Sequence, residues 1–243
     1  MKGGAILSGM EPPQGAELAG RRALVVSGHA PVGRAVAALL EERGAAVRLV
    51  EKGDGAWRDE VLGYDEVDLL VHDASALEEA LTEEAPLYAD GDLLQQACLG
   101  PMGARGFGRI VHVARTLPFD ETIRARLLGG WLQPDPPLAR RGPNFGRDGL
   151  RALVRGAALV AAPSGVTVNL VEVGALEAPG PDEKWREVLL RHTPRGRAAS
   201  LREVAEAVGF LASPGASYVT GAVLPLCGGL GLGLFPEQYG ASR

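Results

Sequence analysis

The sequence predicts an α/β protein whose core is a parallel, doubly wound sheet of about six strands with a shortened first half. Three observations predict it. Short apolar runs recur along the chain: Ala23-Leu24-Val25-Val26, Ala46 to Val50, Leu69 to Val71, Ile110 to Val113, Val166 to Val173 and Ala222 to Leu226. Segments with apolar residues at helical spacing lie between them. The 243 residues, 46% hydrophobic, suffice for one core of the size that α/β folds commonly build as a single domain.

Residues 1–20 carry Gly3, Gly4, Pro12, Pro13 and Gly15 without periodicity and are expected to form a flexible arm, with residues 21–243 as one domain. The first apolar run is followed by a Gly-containing turn and by Val36, Leu39 and Leu40 at helical spacing, which reads as strand, turn, helix. The second strand ends at Glu51, the third at His72-Asp73, and the fourth follows Gly108-Arg109. From Phe145 to Ala161, Leu150, Leu153, Val154, Ala157 and Ala161 share one helical face, and the β-branched strand Val166 to Val173 completes a βαβ crossover. Leu201 to Ser213 reads as an amphipathic helix capped by Ser200, with Glu203 completing a capping box. The strand Ala222 to Leu226 then leads into Gly228-Gly229.

Composition excludes several function classes. The formal net charge is -5 and no block of Lys or Arg stands out, so the footprint of a nucleic-acid binder is missing. Cys98 and Cys227 lie far apart, and the apolar run Ala5-Ile6-Leu7 is too short for a signal peptide, so a reduced, cytoplasmic protein is expected. No apolar stretch approaches the roughly 18 residues of a membrane span, so no membrane partner is expected.

The order of the pieces resembles the short-chain dehydrogenase/reductase family, above all its 3-oxoacyl carrier-protein reductase type, over roughly residues 21 to 235. LVRGAALVAAPSGVTVN from Leu153 is similar to that family's long helix and following strand. RHTPRGRAASLREVAEAVGFLASPGASYVTGAVLPLCGG from Arg191 is similar to its C-terminal region almost throughout. In the first half VSGHAPVGRA (Val26 to Ala35) aligns with the TGxxxGIGRA loop, LVHDAS (Leu70 to Ser75) with LVNNAG, and GRIVHVAR (Gly108 to Arg115) with GRIVNISS. The resemblance implies a Rossmann-like fold and NAD(P)-dependent redox chemistry carried by a Ser, Tyr, Lys and Asn tetrad.

The positions that should carry that chemistry are filled by other residues. The Ser position falls on Arg115, the Tyr position on Pro143 and the Lys position on Arg147. None of the four tyrosines, Tyr64, Tyr88, Tyr218 and Tyr239, has a lysine four residues later, so the Tyr-x-x-x-Lys motif is missing under any alignment. A phenol with pKa near 10 and no cation beside it is a poor base at neutral pH. In the glycine loop Ser27 and Pro31 replace two glycines and only Gly33 remains. Pro31 removes an amide that a phosphate would use. A residual dinucleotide site would draw on Gly28, Pro31, Val32, Gly33, Glu51 and Asp73, with Glu51 placed to take ribose hydroxyls, and a turn rebuilt around Gly28 is the alternative that still admits the cofactor. Only 16 residues separate Glu51 from Asp68, where the family fits a helix, a strand and another helix, so at least one strand is expected to be lost. The segment from Arg115 to Pro143 is longer than the family norm by about a dozen residues.

Other chemistry is conceivable at the strand ends. His29, His72 and His112 fall there, with Asp73 and Glu172 near in topology, and His72 and His112 are weak metal candidates. The plainer reading is structural hydrogen bonding between strands. Arg147 offers a charge to an anion, to Glu172 or to Asp148, and Cys227 reads as a small buried side chain.

Three functions follow in order. The first is a catalytically inactive homologue without a cofactor, a structural or regulatory subunit that pairs with an active paralogue, or with itself, through the 201–213 helix and the 222–226 strand. Within the family, inactive chains support active ones in heteromeric relatives. The second is an NAD(P)-dependent oxidoreductase of carbonyl or 3-oxoacyl-type substrates using non-standard residues. The third is a non-redox lyase, isomerase or cyclase built on the strand-end histidines.

Overall fold

The computed structural model of the protein describes residues 17–27, 31–52, 57–62, 64, 66–75, 86–115, 145–177, 187 and 190–230, without the side chains of 86–88 and 145–148. Gly28, His29, Pro143 and the 116–144 part of the long insertion lie outside the described residues. Arg147 is placed by its backbone alone.

The strands are β1 (Arg22–Ser27), β2 (Ala46–Glu51), β3 (Leu69–Ala74), β4 (Gly108–Arg115), β5 (Val166–Val173) and β6 (Val223–Leu226). The helices are α1 (Pro31–Glu42), α2 (Trp57–Leu62), α3 (Pro86–Arg105), α4 (Phe145–Ala161) and α5 (Leu201–Ala212). All strands run parallel in one six-stranded sheet of order β2-β1-β3-β4-β5-β6. Between β2 and β3 the described residues form only the six-residue α2, so β2 is left as the edge strand. This is the shortened first half that the spacing from Glu51 to Asp68 predicts.

Strand periodicity divides the core in two. Ala23, Val25, Leu69, Val71, Val111, Val113, Val171 and Val173 point to the face covered by α1 and α5. Leu24, Val26, Leu70, Ile110, Val168 and Leu170 point to the face covered by α2, α3 and α4. β3 and β5 are buried along their whole length, as expected of central parallel strands packed on both sides. Each fully buried Leu or Val contributes about 1.5–3 kcal/mol, so the two layers, rather than surface ion pairs, hold the fold together.

Local sequence accounts for most boundaries. Ser200 caps α5: its Oγ accepts the Glu203 amide at 3.1 Å, and the Glu203 carboxylate accepts the Ser200 amide at 2.9 Å. Arg197 grips the same carboxylate and, with the Ser200 amide, holds it down at about 2. At the other end of the chain, packing begins before Arg21. Glu17–Gly20, the last turn of the expected arm, is docked by Leu18, which is 1% exposed and donates its amide to Arg43.

Helix α3 has no counterpart in the periodicity of the sequence, because Gly91, Gly100, Pro101 and Gly103 interrupt it. Gly91 has a packing reason. A Cβ there would lie 3.1 Å from Leu150 Cδ1 and 3.3 Å from Leu153 Cδ2, so the glycine lets α3 press against α4.

Candidate functional site

Doubly wound sheets bind ligands outside the C-terminal ends of the strands, where the strand order reverses. Here the reversal lies between β1 and β3. Ser27 ends β1, Asp73 lies near the end of β3, and the first turn of α1 faces both. Asp73 is fully buried and accepts four hydrogen bonds. One carboxylate oxygen accepts Ser27 Oγ at 2.8 Å and the Gly33 amide at 3.0 Å, and the other accepts the Ser75 amide at 3.0 Å and Ser75 Oγ at 2.6 Å. The Gly33 N–H is one of the amides that a helix N-terminus leaves without an internal partner and that would otherwise be offered to an anion. Glycine at 33 is itself required, since a Cβ would sit 2.4 Å from Ser27 Cβ. Pro31 contributes no amide, and Val32 is buried in the core.

Arg115, at the family's serine position, spans the next gap. Its Nε donates to the Ser75 carbonyl at 2.9 Å and one terminal nitrogen donates to the Gly174 carbonyl at 2.7 Å. Burial lowers its pKa to about 10, against the opposing pull of Asp73, which leaves it charged at neutral pH. Ser27, Gly33, Asp73, Ser75, Arg115 and Gly174 thus form a continuous belt of hydrogen bonds across the ends of β1, β3, β4 and β5. Glu51, expected to meet ribose hydroxyls, pairs with Arg34 of α1 at 2.6 Å.

The strand-end histidines lie inside the other layer. His72 and His112 are register partners on β3 and β4, both fully buried, with Nδ1 to Nδ1 at 3.0 Å. The His72 Nε2 meets Lys52 Nζ at 3.0 Å, and Lys52 pairs with Asp90 of α3 at 2.9 Å. Asp90 also takes Arg58 of α2 at 2.8 Å. An ammonium can only donate, which fixes the tautomers. His72 Nε2 accepts, its Nδ1–H donates to His112 Nδ1, and His112 Nε2–H donates to the amide of Gln95, 2.7 Å away, which must turn its oxygen to the ring. Burial, then the Lys52 charge, lowers the pKa of both imidazoles, His112 to about 3, so both are neutral.

His72 and His112, the metal candidates, spend their ring nitrogens on each other, Lys52 and Gln95. Among the described residues no three His, Cys, Asp or Glu side chains gather as a metal site. Asp73 points to the other layer, and Glu172 is held by Arg151 with two bonds of 2.6 and 2.5 Å, the partner that sequence reasoning had offered to Arg147. The strand-tying role considered for the two histidines is the one they have. The sequence alone does not single out Lys52, Asp90 and Gln95; the one signal is a lysine directly after the strand-end acid Glu51. Cys98 is buried, which raises its thiol to about 12, and Cys227 is half-buried, its Sγ donating to the Leu230 carbonyl at 3.2 Å.

Among the described residues of this edge, the Gly33 amide that a diphosphate would use is taken by Asp73. A diphosphate at the start of α1 would meet the Asp73 carboxylate in place of the Gly33 amide, and two negative charges in a dry crevice repel strongly.

Residues 145–231 match the family described as enoyl-(acyl carrier protein) reductase. The chain is 34% identical over 211 residues to the (2S)-[(R)-hydroxy(phenyl)methyl]succinyl-CoA dehydrogenase subunit BbsC of Thauera aromatica, covering 80% of this chain and 78% of that one. It is 29% identical to the 3-oxoacyl-[acyl-carrier-protein] reductase FabG of Vibrio harveyi, covering 88% of this chain and 98% of the relative. Among solved structures, a protein assigned as an NAD(P)-dependent gluconate 5-dehydrogenase from Beutenbergia cavernae, with bound NADP at low occupancy, superposes with a TM-score of 0.66 at 26% identity, covering 89% of this chain and 98% of that one.

Proposed function

Because the chain belongs to the short-chain dehydrogenase/reductase family, we propose that it is a non-catalytic subunit of a dehydrogenase of that family, one that keeps the fold and lends it to an active partner. The observation that carries this reading is the Asp73 carboxylate seated on the Gly33 amide. The Arg115 strap and the missing Tyr-x-x-x-Lys motif support it, and so does a relative that is itself named a dehydrogenase subunit. Pairing runs through α5 and β6. β6 is an edge strand with Val223, Leu224 and Leu226 half-exposed, and Phe210 on α5 and Tyr218 after it are exposed.

A second reading is favoured by the relatives' names, which speak for it more directly than for the first. The names of the relatives are those of dehydrogenases and reductases, and one solved structure carries NADP. On that reading the chain is itself an NAD(P)-dependent oxidoreductase of carbonyl or 3-oxoacyl-type substrates, and ligand binding displaces Asp73 and Arg115. Co-expression with a paralogue that carries the full tetrad separates the two. The first reading expects a stable mixed complex whose turnover is unchanged by Arg115→Ala in this chain. NAD(P)H-dependent turnover of oxoacyl substrates by this chain alone establishes the second reading and ends the first.

A further inference from the structure

At the opposite, N-terminal edge of the sheet lies a group of cations that the proposed function does not use. Arg21 precedes β1, Phe107 precedes β4, Arg109 is the second residue of β4, and Thr167 is the second residue of β5. Arg109 and Thr167 are register partners on the face covered by α1 and α5. Both guanidinium groups lie over the Phe107 ring, Arg21 at 3.6 Å and Arg109 at 4.5 Å from its centroid. Arg109 is 4% exposed and Thr167 5%. One terminal nitrogen of Arg109 donates to the carbonyls of Gly108 and Gly165, at 2.9 and 3.3 Å. Arg109 Nε and Thr167 Oγ1 are fully buried and have no hydrogen-bond partner among the described residues.

Two further facts define what such a place would hold. Among the described residues neither arginine is in an ion pair. Asp68, whose backbone carbonyl accepts the Arg109 amide, has its carboxylate engaged elsewhere, accepting the Arg22 amide at 3.0 Å and facing Arg105 at 3.8 Å, and Glu17, four residues before Arg21, pairs with Arg43. Arg109 is held below its usual pKa by burial first and by the Arg21 charge second, the sign of a cation short of counter-charge. A buried water satisfies two hydrogen-bonding atoms but leaves the buried Arg109 guanidinium without a counter-charge, whereas an anion satisfies both demands. The tight burial of the two unpartnered atoms limits the ligand to a small one.

We infer that Arg109 Nε, Thr167 Oγ1 and the Arg21 guanidinium form a binding site for a small monovalent anion of halide size. The anion accepts hydrogen bonds from the arginine N–H and the threonine O–H and offsets the positive charge gathered around Phe107. By tying the starts of β1, β4 and β5 together it acts on stability, at the edge remote from the belt.

The test uses the full chain. Crystals soaked in bromide are expected to show an anomalous peak within hydrogen-bonding distance of Arg109 Nε and Thr167 Oγ1; a water there, without anomalous signal, overturns the site. In melts at constant ionic strength, replacing gluconate by chloride is expected to raise Tm with saturation. Thr167→Val is expected to shift half-saturation to about tenfold higher chloride, the loss of one charge-assisted hydrogen bond. A chloride response that is equal in wild type and Thr167→Val, or absent from wild type, contradicts it. Should Thr167→Val fail to fold, the bromide experiment on the wild-type protein decides.

Discussion

His72 and His112 show how a single residue's environment sets a measurable property of the whole chain. Both are held neutral in the fold and regain ordinary titration near 6.5 when unfolded. The unfolded chain therefore binds more protons than the native one below that pH. Stability is complete above 6.5 and is lost as pH falls from 6.5 toward about 3, the folded value for His112. The slope is about 1.4 kcal/mol per pH unit for each histidine. Urea unfolding at pH 7, 6 and 5 should show this decline, and His112→Gln should flatten it by one proton; an unchanged slope in that variant would mean the imidazole titrates normally in the fold. Gly33 gives a second test at this scale. Gly33→Ala forces a methyl to within 2.4 Å of Ser27 Cβ, and a loss of about 1–3 kcal/mol is expected in the same assay.

At the scale of elements, the reading of the sequence succeeded where one physical signal dominated. Helix α4 and strand β5 fall on the residues that apolar spacing and β-branching indicate, and α5 begins at the capping box that Ser200 and Glu203 announce. Ser200→Ala should therefore cost about 1 kcal/mol, read as a lower urea midpoint. Gly156, in the interior of α4 with open space where a Cβ would go, predicts the reverse: Gly156→Ala should stabilise by about 0.5–1 kcal/mol, and a loss would mean that this face is covered in solution. Helix α3 was illegible because Gly91, Gly100, Pro101 and Gly103 break its periodicity, and the one with a packing reason, Gly91, answers to α4, a tertiary cause without a local signature. The histidine network was half legible. Sequence position placed the two imidazoles at strand ends, but nothing local says that Lys52 turns inward to meet them, since buried lysines are rare.

For the whole molecule, one loss and one substitution act together. Among the described residues no strand lies beyond β2, whose last residue, Glu51, pairs with Arg34, and α2 brings Trp57, 5% exposed, over the end of that strand. Across the reversal point Asp73 and Arg115 tie the strand ends to one another. The reduced glycine loop and the short spacing from Glu51 to Asp68 were legible in the sequence. The belt itself was not, because its bonds join residues that are far apart in sequence, Ser27 with Asp73 and Arg115 with Gly174. The most direct test of the claim that this edge is closed is a calorimetric titration of the purified chain with NADH and NADPH. The account predicts no binding heat up to millimolar nucleotide for the wild type. Saturable binding at micromolar concentration would contradict it, showing that Asp73 and Arg115 yield to the cofactor and that the chain takes nicotinamide dinucleotides in its own right.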